Sequence, residues 1–124
     1  MTQSIAELKT KPIREQVYYL CGRLEGKLDV IECGIDLILD GPTSRFANAY
    51  MKELCEDFQK AENIVCLYNQ IRDANQDEEV FQSDWGENEI ERRFNRNTIT
   101  LGRLQSRFVT AKQIAKFYKT HSAE

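Results

Sequence analysis

Eight apolar residues constrain the fold of this chain more than any other feature. Ile13, Val17, Leu20, Leu24, Leu28, Ile31, Ile35 and Ile38 recur at three- and four-residue steps without a break. At 3.6 residues per turn they fall on one side of a single helix. A helix with such a stripe must bury it against other elements. Pro12 suits its first turn. Asp40-Gly41-Pro42 ends it, because Gly41 tolerates positive φ and the residue before a proline disfavours helix. The pattern predicts a first helix over residues 12–39.

Two further stripes supply the partners. Phe46, Tyr50, Leu54, Phe58, Ala61, Val65 and Tyr68, with Ile64 and Ile71 alongside, predict a second helix over 43–75. Ile90, Phe94, Leu101, Leu104, Phe108, Ala111, Ala115 and Tyr118 predict a third over 85–119. Asp84 with Glu87 has capping-box spacing for its start. Asn95, Asn97, Thr98 and Thr100 are weak helix formers, so a kink or break is expected there. Ser4 with Glu7 predicts a short turn ahead of the first long helix. Short connections favour antiparallel neighbours. The fold class is therefore all-α, three long helices in an up-down-up bundle within one domain, with the first and third helices parallel. At 124 residues, 41% apolar and 30% charged, the chain can build a core without metal or disulfide support.

The same composition narrows the function classes. A net charge of −3 is too small to indicate a nucleic-acid or membrane partner by itself. No apolar run approaches the ~20 residues that cross a bilayer, and Met1–Thr10 lacks the apolar core of a signal peptide, so a cytoplasmic location is expected. Cys21, Cys33, Cys55 and Cys66 are widely spaced with no CxxC pair, which argues for free thiols and against a zinc site. His121 is the only histidine and lies near the C-terminal end, where nothing fixes it as a general base. No phosphate-cradling glycine loop is present. These residues call for no cofactor, metal or catalytic group, and a non-enzymatic protein is expected.

Two surface features remain. Tyr19, Gly22, Gly26, Val30, Cys33 and Leu37 form a second apolar line on the first helix, roughly opposite the core stripe. A surface helix is normally polar there. Gly22 and Gly26 each cost about 1 kcal/mol relative to alanine in a helix, and close approach of another backbone is a reason to tolerate that. Either the chain covers this face itself, with the Ile5–Leu8 turn or with Val80, Phe81 and Trp85, or a second copy or another protein docks on it. The acidic stretch around Phe81 and Trp85 has its own pair of readings, a lid on the bundle end or a docking point for a basic partner.

The second feature is charge. Glu25, Asp29, Glu32 and Asp36 form a row on one flank of the first helix, and Arg92, Arg96, Arg103 and Arg107 form one on the third. Parallel helices present opposite flanks to each other, as in a coiled coil. Matching the helix starts sets Arg103 and Arg107 beside Asp29–Asp36, and Arg92 and Arg96 beside Tyr18. The alternative is a phosphate-binding stripe, since residues 92–119 hold eight Lys or Arg and no acid. The leading expectation is a protein-protein interaction module, a regulator, inhibitor or assembly subunit acting as a homodimer or in a complex through Tyr19, Gly22, Gly26, Val30, Cys33, Leu37, Phe81 and Trp85. A nucleic-acid-binding subunit using the four arginines is second. An enzyme with a site between subunits is third.

Overall fold

The computed structural model describes residues 5–42, 46–82 and 88–121. A short helix α1 (Ile5–Lys9) precedes three long ones, α2 (Ile13–Asp40), α3 (Ala47–Ala74) and α4 (Glu89–His121). No strand occurs among the described residues. The predicted turn is present as α1, although Ser4 lies outside the described residues. So do Thr43 and Ser44, near the expected start of the second helix, and Asp84, Trp85 and Glu87.

Contacts between the long helices fix an up-down-up path. Lys27 of α2 meets Asp57 of α3, while Gly34, further along α2, meets Leu54, earlier on α3, so this pair is antiparallel. Glu25 meets Arg93 of α4 and Asp36 meets Arg107, so α2 and α4 run parallel. All eight residues of the first stripe turn inward; Ile31, Ile35 and Ile38 have no exposure at all, and Ile13 is partly covered. Leu8 of α1, Leu54, Phe58, Ala61, Ile64 and Tyr68 of α3, and Ile90, Phe94, Leu101, Leu104 and Phe108 of α4 complete one apolar cluster.

The backbones approach most closely along α2–α3 and α2–α4. Aromatic rings bridge α3 and α4 instead. Tyr68 stacks on Phe94 with centroids 3.7 Å apart, and Phe58 lies 5.1 Å from Phe108. Such pairs add about 0.5–1.5 kcal/mol beyond the area they bury. The Tyr68 hydroxyl donates to Glu91, which also receives Arg72. Burial and that carboxylate push the Tyr68 hydroxyl well above the ordinary phenol range.

The helix ends correct several expectations. Pro12 sits just before α2 rather than inside its first turn, and its carbonyl accepts the Gln16 N–H. Gly41 ends α2 at φ −137°, with its N–H donating to the Leu37 carbonyl, so its tolerance of positive φ is not used. Asn88 caps α4 through its side-chain oxygen, which accepts the Glu91 N–H at 3.0 Å. Its amide also donates to the Val80 and Gln82 carbonyls, which ties the preceding segment to the helix start. The break expected at residues 95–100 does not occur. The Thr98 and Thr100 hydroxyls bond back to the Asn95 and Arg96 carbonyls, while Asn97 is buried and points at Glu25. Tertiary hydrogen bonding outweighs weak local propensity there. Phe46 and Tyr118, expected in the core, are about half exposed at the helix extremities.

Candidate interaction face on the second helix

The outward line of α2 is a continuous strip with one partly covered end. Tyr19 is half-buried and packs against the core cluster where Leu8 of α1 is buried. From Gly22 onward the strip is open. A methyl group placed on Gly22 or Gly26 would meet no atom within 4 Å. Val30 and Leu37 are 53% and 50% exposed, and Cys33 is an exposed free thiol. Among the described residues, the chain therefore leaves most of this face uncovered.

Beside the strip, α2 and α3 form a groove of about 360 Å³. Val30, Cys33, Gly34 and Leu37 line it from α2 and Tyr50 and Leu54 from α3, together with the carboxylate-bearing Asp29, Glu53 and Asp57. Gly34 explains why the helices can meet beneath it. A Cβ there would lie 2.7 Å from Leu54 Cδ2 and 3.1 Å from Cγ. A close approach within the chain is thus found at Gly34, against the Leu54 side chain, at a glycine the periodic pattern did not single out. Gly34 falls between the core stripe and the outer strip, and only the position of α3 reveals its use.

The expected charge pairing is present in part: Arg107 falls beside Glu32 and Asp36 at the expected level, and Arg103 does not pair there. Arg107 donates to Asp36 at 2.8 Å and lies 4.0 Å from Glu32. The strongest pair uses Arg93, a residue outside the predicted row. Its Nε and one terminal nitrogen reach the two Glu25 oxygens at 2.7 and 2.6 Å, and the Asn97 amide donates to the same carboxylate at 3.0 Å. This bidentate bonding holds the Glu25 carboxyl below its ordinary range and raises the Arg93 guanidinium. Arg93 and Arg14, not Arg92 and Arg96, approach the Tyr18 ring, at 6.0 and 5.1 Å. Arg92, Arg96 and Arg103 are exposed. Arg96 and Arg103 make no ion pair among the described residues. On the α2–α4 flank, one paired arginine, Arg107, belongs to the predicted row, and the other, Arg93, is the neighbour of Arg92 on the side nearer the core.

The aromatic loop also divides. Val80 is buried, and Phe81 is half-buried with its ring edge-on to Tyr68 at 6.3 Å, so both pack on the bundle beside α4. Trp85 lies outside the described residues. Of the four thiols only Cys21 is buried, and desolvation raises it to about 11, which suppresses thiolate chemistry at pH 7. No group of three potential metal ligands occurs among the described residues. No described helix is long and apolar enough to cross a membrane. None of the protein-family models, curated proteins or solved structures compared with the chain matches it.

Proposed function

We propose that the protein is a non-enzymatic interaction module whose outer α2 face docks a helix of a second copy. The observation that carries this reading is the open Gly22–Gly26 pair in line with half-exposed Val30 and Leu37. Two glycines one turn apart lower the helix surface to the backbone, so another helix can cross close to it. The groove walled by Tyr50 and Leu54 begins beside Val30 and offers a slot for side chains. A contact between two α2 helices about a two-fold axis would present the same patch on both sides, the commonest closed symmetry. Phe81 drops out of the proposed interface because it packs inside its own bundle.

Sedimentation of the full chain across a concentration series tests the reading. A reversible dimer that Gly26→Glu/Val30→Glu converts to a folded monomer supports it. A parent chain that stays monomeric at every concentration overturns it.

A second reading rests on Arg96 and Arg103, which are exposed and without an ion pair among the described residues. With acid-free sequence from 92 to 119 around them, they could grip a phosphate backbone. Arg107 is tied to Asp36, so the stripe is shorter than the sequence implies. A gel shift with random RNA or DNA that weakens with salt would favour this reading, and no shift at low salt would remove it.

A further inference from the structure

Beyond the Gly22 end of the open strip, α1, α2 and α3 border an open notch of about 400 Å³. Its floor is apolar: Leu8 from α1, Leu20 from α2, and Ile64 and Leu67 from α3. Its polar lining includes the cations Arg23 and Lys60 with the amides of Asn63 and Gln70. No carboxylate lines it, although the chain carries 20 acids against 17 bases. Neither Arg23 nor Lys60 has an ion partner among the described residues. The two cations come from different helices, so they converge on the notch through the fold and not through sequence spacing.

We propose that this notch binds an amphipathic anion, a free carboxylate on an apolar chain or ring, with the apolar part on the Leu8–Leu20–Ile64–Leu67 floor and the carboxylate between Arg23 and Lys60. The volume falls in the range of small-molecule pockets, about 300–1,000 Å³. An apolar floor with a few convergent polar groups is the usual make-up of such sites. Charge selects the sign: an anion gains charge-assisted hydrogen bonds from Arg23 and Lys60, whereas a cation would meet two like charges. The amide of Asn63, one turn from Lys60 on α3, can donate to the second carboxylate oxygen. Tyr19, the partly covered end of the outer α2 line, also lines the notch, but the proposed anion contacts lie off the open Gly22–Leu37 strip and do not require self-association.

Titration of the full-length protein with decanoate, followed by amide chemical shifts in two-dimensional NMR, tests the proposal. Saturable shifts centred on Leu8, Leu20, Ile64 and Leu67 are expected. Decanol and decylamine, with the same chain and no negative charge, are expected to bind about tenfold more weakly or not at all. Arg23→Gln/Lys60→Gln should weaken decanoate about tenfold while leaving the helical circular dichroism and the melting midpoint in place. Equal binding of decanol, shifts centred elsewhere, or no saturation would overturn the proposal. So would binding confined to anionic vesicles, which would mark a lipid surface and not a site for a free molecule.

Discussion

Two stretches of α2 use glycine for opposite ends. At Gly34 the missing side chain is filled from within: Leu54 of α3 lies so near that a Cβ would sit 2.7 Å from its methyl. At Gly22 and Gly26 the missing side chains leave open surface. All three glycines lower helix propensity by about the same amount. Among the described residues, only the first is compensated by packing inside the chain. The contrast locates the unexplained part of the molecule, since a helix that gives up propensity twice on its outer face gains nothing from it as a lone bundle.

The contrast breaks most sharply at Gly34. Gly34→Val should lower unfolding free energy by about 2 kcal/mol, because the added methyls must displace Leu54 from a filled position. Urea denaturation measures it. On a Leu54→Ala background the same change should cost much less, since the two side chains compete for one space. If valine is tolerated in both backgrounds, the packing described for α2 and α3 is wrong.

The α2–α4 flank gives the next largest effect. Glu25→Gln should cost about 1 kcal/mol near pH 7, through the weakened bidentate bond to Arg93 and the poorer acceptor for buried Asn97. The sign of the pH dependence follows from the lowered carboxyl. Its contribution is fully present above the ordinary value of 4.5 and fades as pH falls through the lower value in the folded chain. Stability of the parent should therefore drop more steeply on acidification than that of Glu25→Gln. Parallel curves would show that Arg93 does not hold this carboxylate in solution.

Gly22→Ala and Gly26→Ala should act in the reverse direction. In dilute, dissociated protein each should raise stability by about 0.5–1 kcal/mol, because alanine restores helix propensity and meets no atom. At high concentration the same substitutions should weaken association. A thermal melt at two protein concentrations reads both effects. The smallest change belongs to Arg103→Gln, expected within about 0.5 kcal/mol of the parent because the guanidinium is exposed and makes no ion pair among the described residues.

How much of this was legible in the sequence depends on the range of the interaction. The three long helices and their order follow from stripes that repeat every turn, and the inward positions of Val17–Ile38 need nothing beyond that period. The outer strip was legible for the same reason. Arg93 was not, because it sits about 100° round the helix from Arg92, nearer the core stripe, and only the position of α2 shows that its guanidinium reaches Glu25. Gly34 was hidden because its meaning lies in Leu54, twenty residues away. The continuity of α4 through Asn95–Thr100 was hidden too, since Asn97 gains a partner only when α2 is already beside it. The notch of Arg23 and Lys60 joins three helices, and no local pattern encodes such a junction.

The most direct test of the central claim is the mass of the full chain in solution, by sedimentation equilibrium over a wide concentration range. A reversible shift from 14.5 kDa to twice that value is expected, abolished in Gly26→Glu/Val30→Glu with helical content unchanged. A parent that remains at 14.5 kDa throughout, or a double variant that associates as the parent does, would contradict it.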